Sequence, residues 1–207
     1  MFKKSDVADI YSLSPMQEGM LFHHISDQKS SAYFEQVSYR VNGELDYRLF
    51  EQAFNKLLER YDILRTVFVY KSTPKPRQVV LRKREATIYF EDISHLEEEE
   101  KKRYIEGFKK TDRERGFDLS ADILTRYSIL KRGDNCHEVI WSCHHIIMDG
   151  WCNAILIREL LSIYSYLKNG GHSFPAGLTR TAPYSTYIRW LEKQDSHEGL
   201  GYWKEIL

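Results

Sequence analysis

Cysteine is scarce. The 207-residue chain holds three, Cys136, Cys143 and Cys152, an odd number without a C-x-x-C pair, which argues against a disulfide framework or a zinc ribbon. An excess of either charge is also missing. Thirty Lys and Arg face thirty Asp and Glu, so no global field draws the chain to nucleic acid or to an anionic membrane. No apolar run reaches membrane-spanning length without a charge, and Met1 to Tyr11 lacks the uninterrupted apolar core of a secretory signal. Internal repeats and low-complexity linkers are absent as well. These absences predict a reducing, cytoplasmic setting with no membrane and no nucleic acid as partner. What is present, 42% hydrophobic and 14% aromatic residues, suffices for the core of one large domain or two small ones.

Period-2 and period-3.6 segments alternate, which predicts a mixed α/β fold. Tyr33, Glu35, Val37, Tyr39 and Val41 share one mostly apolar side of a strand, opposite Phe34, Gln36, Ser38 and Arg40. Asn42-Gly43 marks a turn. Asp46 is placed to cap a helix with the apolar stripe Leu49, Phe50, Ala53, Phe54, Leu57, Leu58 and Tyr61. Thr66 to Tyr70 and Arg77 to Leu81 read as strands joined across Pro74 and Pro76, and Thr87 to Phe90 as another. Ser94 with Glu97 predicts a capping box for a charged helix through Phe108. Asp122 to Leu130 and Glu138 to Cys143 read as strands around Gly133-Asp134-Asn135. A helix marked by Ile155, Leu156, Leu160, Ile163, Tyr164 and Leu167 follows and ends at Asn169-Gly170-Gly171. A last helical region runs from Pro183 to Leu207, with a break near Gly199 and Gly201. The basic stretch Lys71 to Arg84 and the acidic stretch Glu91 to Glu100 are read as solvated faces rather than a docking surface.

The densest chemistry lies in Cys143 to Trp151, CHHIIMDGW. A strand carries His144 and His145 to its end, and a loop brings Asp149 and Gly150 to the start of the next helix. Neighbours on a strand point to opposite faces, so only one histidine can face a given cleft. That weakens a metal site built from His144, His145 and Asp149 unless the strand bends. A cysteine nucleophile at Cys143 or Cys152 is equally weak, because nothing nearby lowers a thiol pKa.

His144-His145-Ile146-Ile147-Met148-Asp149-Gly150 matches the HHxxxDG signature of condensation domains of nonribosomal peptide synthetases, within the chloramphenicol acetyltransferase-like superfamily. Three further segments resemble family motifs in the family's order. They are Leu13-Ser14-Pro15-Met16-Gln17-Glu18-Gly19-Met20-Leu21-Phe22-His23, then Arg60 to Phe68, then Tyr184 to Trp190. Tyr61 and Asp62 replace the usual His-Glu of the second, and Thr186 replaces the Asp of the third. Gly116 to Ser120 and Tyr202-Trp203-Lys204 also look like family segments.

The resemblance implies an α/β fold: a mixed sheet packed with helices, forming the N-terminal lobe of a two-lobed condensation domain with its active site in a tunnel between the lobes. It implies amide formation between an upstream carrier-bound peptidyl or aminoacyl thioester and the amine of a downstream carrier-bound aminoacyl thioester. The substrates ride on phosphopantetheine arms, so no cofactor or metal is expected to be bound by this domain. His145 is the residue expected to face the tunnel, as base or as positioner of the amine. Asp149 is expected to pair with Arg65, or else Arg60, and so hold the histidine loop. Gly150 is expected to allow close backbone approach or an unusual φ, with its N–H available to an oxyanion. His144 is expected to brace the loop and Trp151 to pack in the core. Gln17 and His23 hold motif positions with no assigned role.

The wording of the motifs resembles the subtype that takes a D-configured donor and an L-configured acceptor. Residues 1–11 resemble a docking segment for a preceding subunit that ends in an epimerisation domain, the alternative being a disordered lead-in, and residues 12–207 the lobe itself. An isolated lobe is expected to be inactive. Rival readings are an epimerisation domain, a CoA-dependent acetyltransferase, and a non-catalytic carrier or subunit docking module.

Overall fold

The computed structural model describes residues 2–27, 30–71, 73–194 and 204–206. The expected break near Gly199 and Gly201 and the Tyr202-Trp203 pair lie outside them. The strands divide between two sheets. In the smaller, β1 (Val7–Tyr11) and β3 (Thr66–Val69) flank the central β4 (Arg77–Leu81), all antiparallel. The larger runs in the order β2 (Phe34–Asn42), β7 (Cys136–His144), β6 (Thr125–Gly133), β5 (Tyr89–Asp92). Among the described residues only the β5–β6 pair is parallel, and it carries the helical crossover that parallel neighbours need.

Residues 7–11 are therefore part of the fold, which corrects the disordered lead-in. Val7 pairs with Leu81 and Tyr11 with Gln78, so the ladder satisfies this segment's backbone. Helices complete the layers: α1 (Pro15–Ser26), α2 (Tyr47–Arg60), α3 (Glu98–Arg115), α4 (Gly150–Lys168) and α5 (Tyr184–Leu191). Asp46 caps α2 as its spacing predicts, accepting from Arg48 N and Leu49 N. The buried stripe Phe50, Ala53, Phe54, Leu57 and Leu58 then meets one face of the large sheet. There Tyr127 stacks on Trp141 at 5.5 Å, with Phe50 and Phe54 edge-on to Tyr127. On the opposite face, Ile105 of α3 packs with Ile93, Leu130 and Ile140.

Three elements depart from their predicted form. Glu97, not Ser94, caps α3, sharing its capping box with Glu100, and the helix passes Phe108 to end at Gly116 with φ 60°. Phe34, expected on the polar side of its strand, is a core residue because Phe117 packs on it at 5.5 Å and the Arg113 and Arg126 guanidinium groups cover its ring. The strand at Thr87 to Phe90 shifts to Tyr89–Asp92. No helix among the described residues is long and apolar enough to cross a membrane.

Candidate active site

The histidine segment hangs from the end of β7, tied on both sides. His144 N donates to Leu124 O at 2.9 Å and His145 N to Tyr33 O at 2.8 Å. A tight turn follows, with Ile147 N donating to His144 O at 3.2 Å, and Asp149 then opens α4. Strand alternation sends the two imidazoles apart. His145 lines a cavity of about 190 Å³ shared with Glu35, Cys143, Asp149, Gly150 and Asn153. His144 lines a different cavity of about 440 Å³ with His24, Phe34, Arg113 and Phe117. One ion cannot hold both, and no metal-holding cluster of three His, Cys, Asp or Glu occurs among the described residues.

Within the turn, His145 Nδ1 lies 2.5 Å from Met148 O. A carbonyl only accepts, so Nδ1 carries a proton, and in the neutral ring Nε2 keeps its lone pair. His145 is thus held as the tautomer that presents an acceptor. His144 does different work. The residue is 4% exposed and its Nδ1 accepts from Ile146 N at 3.1 Å. Burial, with His24 and His145 close by, pushes its pKa down to about 4.

That shift has a consequence for stability. Between about pH 6.5 and 4 the unfolded chain takes up a proton that folded His144 refuses, so stability falls as the pH drops through this window. The full loss is roughly 3 kcal/mol. In His144→Asn the acid limb should be flatter by that amount, as read by urea unfolding at pH 7, 5.5 and 4.

The expected ion pair of Asp149 is corrected. Its Oδ1 accepts from Trp151 N and Cys152 N, both at 3.1 Å, which makes it the N-cap of α4. Hydrogen bonds from Cys152, thiol and backbone, hold its carboxyl below the ordinary range. Arg65 is taken up by carbonyls instead, those of Leu58, Leu81 and Arg82 at 2.6, 2.5 and 2.9 Å. Arg60 pairs with Glu159, Nε to Oε2 at 2.7 Å. Two tests follow from a cap: Asp149→Ala should cost about 1 kcal/mol, while Asp149→Asn, which keeps an accepting oxygen, should cost only a few tenths. A loss as large in Asn as in Ala, by chemical denaturation, would restore the ion-pair reading.

Two further expectations change. Gly150 lies outside the left-handed region and a Cβ built on it meets open space, so neither an unusual φ nor a close approach requires glycine there. Trp151 is 86% exposed rather than in the core. Neither Cys143 nor Cys152 is placed where its thiolate is favoured. Burial pushes the Cys143 thiol up to about 12 and raises that of Cys152 as well.

The motif segments do converge. The Asp62 carboxylate accepts from Tyr184 N at 3.2 Å, joining the second motif to the start of α5, and Tyr61 OH donates to Glu159 at 2.9 Å. Of the two motif residues that the sequence left without a role, Gln17 and His23, the structure ties Gln17 to the histidine turn. Gln17 is buried, and its Nε2 donates to Ile146 O, inside the histidine turn, at 3.0 Å. The S-x-x-Q spacing of Ser14 and Gln17 signals a capping box, which forms, but that signal says nothing of the turn.

The model of the condensation-domain family matches residues 7–207. A plipastatin synthase subunit of Bacillus subtilis (strain 168) is 49% identical over 207 residues, all of this chain and 8% of that protein. Gramicidin S synthase 2 of Brevibacillus brevis is 45% identical over 206 residues, all of this chain and 5% of that protein. The chain therefore spans less than a tenth of the length of either relative. Among solved structures, the starter condensation domain of rhizomide synthetase RzmA superposes with a TM-score of 0.74 at 20% identity, over 84% of this chain and 43% of that one. A four-domain nonribosomal peptide synthetase bound to AMP and glycine gives 0.66 at 21% identity, over 76% and 12%. These two likenesses carry the fold.

Proposed function

Because the chain belongs to the condensation-domain family of nonribosomal peptide synthetases, we propose that it supplies the histidine lobe of an amide-forming site. The donor is a peptidyl or aminoacyl thioester on an upstream carrier protein, and the acceptor is the amine of an aminoacyl thioester on a downstream carrier, each on a phosphopantetheine arm. The observation that carries this reading is the Nδ1–Met148 O contact, which leaves Nε2 as the acceptor of a His145 ring that lines a cavity with Asp149 and Gly150.

The amine nitrogen attacks the thioester carbonyl, the C–S bond breaks, and the proton shed by nitrogen ends on the departing sulfur. Nε2 accepts a hydrogen bond from the amine during attack, which orients its lone pair and offers the proton a place to go. His144 braces the turn from the other side of the strand. Asp149 sets where α4 begins and hence where the loop ends.

This lobe is half of a site. The cavity beside His145, about 190 Å³, is smaller than the roughly 300–1,000 Å³ of a small-molecule pocket, which supports a facing wall supplied by a C-terminal lobe. The 207-residue chain alone folds but transfers little.

The subtype is D-donor with L-acceptor, and residues 1–11, of which Val7–Tyr11 also form β1, serve docking to a subunit that ends in an epimerisation domain. The test loads both carriers of the full-length protein and offers donors ending in D- or L-residues. New amide with retained D configuration, formed at least tenfold faster than from the L-donor, is the expected result. Inversion at the α-carbon without new amide would instead identify an epimerisation domain. Deleting residues 1–6, which spares β1, should lower transfer between subunits while transfer within one subunit persists.

A further inference from the structure

We propose that Gln17 and Gln78 form an amide clamp that positions the His145 imidazole, an inference that rests on the reading of His145 as the transfer residue. The two side chains are 3% and 0% exposed. They meet as a reciprocal pair: Gln78 Nε2 donates to Gln17 Oε1 at 2.9 Å, and Gln17 Nε2 to Gln78 Oε1 at 3.2 Å.

Each amide nitrogen has one N–H left. That of Gln78 goes to Ser12 O at 2.8 Å, at the end of β1, and that of Gln17 goes to Ile146 O at 3.0 Å. Gln17 Oε1 also accepts from Ser14 N at 2.9 Å. All four amide hydrogens are thereby spent, which fixes both amide orientations. A buried polar pair is costly unless it is satisfied in this way. An apolar pair could fill the same space between α1 and β4. What it could not do is bind the turn.

The bond that leaves the pair ends on the Ile146–Ile147 peptide, inside the turn from His145 to Met148. Ile146 is pinned twice, its N–H by His144 Nδ1 and its carbonyl by Gln17. Two residues on, Met148 O holds His145 Nδ1 at 2.5 Å. The small sheet thus reaches the reacting imidazole through Gln78, Gln17, the Ile146 carbonyl and the Met148 carbonyl. Neither glutamine touches substrate, so each is a positioning residue.

The experiment compares Gln17→Leu, Gln78→Leu and the double variant in the full-length protein with loaded carriers, and records the side-chain nitrogen NMR signals of His145 in the 207-residue chain. Loss of the clamp should lower kcat about ten- to a hundredfold, the scale of a misplaced group of about 1 Å, with KM for the acceptor carrier within twofold. The double variant should be no slower than the slower single one, since both act through one carbonyl. His145 should pass from a single Nδ1–H tautomer to a mixture. A role in stability alone would lower Tm and leave kcat and the tautomer at wild-type values, and that result overturns the proposal. If Gln17→Leu does not fold, Gln78→Leu, which removes no contact to the turn itself, decides alone. His145→Ala separates the two readings. Native transfer in that variant refutes the site assignment, whereas a dead His145→Ala beside fully active glutamine variants refutes the clamp.

Discussion

His145→Ala in the full-length protein should lower amide formation at least a hundredfold while both carriers remain loaded and Tm stays within a few degrees. The size follows from the two things the imidazole supplies. Thioesters already react with amines, so placing the nucleophile accounts for part of the rate. A side chain that also takes the proton contributes about 10²–10⁴-fold. Stability should change little because the ring is partly exposed and its one side-chain bond is local, to Met148 O three residues on. His145→Gln divides the two contributions. Its amide oxygen can orient an amine but cannot accept a proton at neutral pH, so recovery to within tenfold of wild type marks positioning, and a loss equal to that of alanine marks proton transfer. Near-normal transfer by His145→Ala, with product confirmed by mass, would remove the histidine from the mechanism.

The vicinal histidines were legible because strand alternation is a strict rule. A period of two sends His144 and His145 to different cavities whatever surrounds them. Asp149 was legible as structural but not in its partner. Two helix N–H groups lie two and three residues away, and a carboxylate at that position satisfies them before any distant arginine competes. Arg65 was out of reach of sequence reasoning for a related reason. Its guanidinium covers carbonyls at the C-terminal end of α2 and the end of β4, and backbone acceptors leave no trace in side-chain spacing. The α1 helix was visible only through its motif. It buries a glutamine and exposes Met16 and Phe22 at 71% and 66%, so the apolar stripe that marked α2 is missing. Gln17 escaped for that reason, since a glutamine in a helix whose apolar residues do not gather on one face gives no signal of burial. The last two turns of α3 were hidden in the same way by Lys109, Lys110, Arg113 and Arg115, whose helical state is set by the chain's run to Gly116.

Glu159→Ala should destabilise the fold by roughly 3–5 kcal/mol, the cost of leaving a buried ion without its partner. Glu159 is 7% exposed at the centre of α4, and the Arg60 side chain is only 10% exposed. The carboxylate takes Arg60 Nε at 2.7 Å, Arg60 NH2 at 3.3 Å and Tyr61 OH at 2.9 Å. Its removal strands a guanidinium that keeps the Thr179 carbonyl and no counter-charge among its described partners. A loss of this size is a large part of the roughly 5–15 kcal/mol that holds a typical domain together. The direction of the double replacement is the sharper test. Changing Arg60 and Glu159 together to methionine removes both desolvated charges and leaves apolar volume between α2 and α4, so it should cost less than Glu159→Ala alone. Urea unfolding with unchanged m-values measures both. The geometry also ties this pair to the site. Arg60 ends α2 at the start of the second motif, and Glu159 lies on the helix that Asp149 begins. A double variant that regains stability should therefore regain transfer in proportion, because the pair fixes the helix that carries the histidine turn. Full stability with transfer still depressed more than tenfold would show instead that the charges act on the reaction directly.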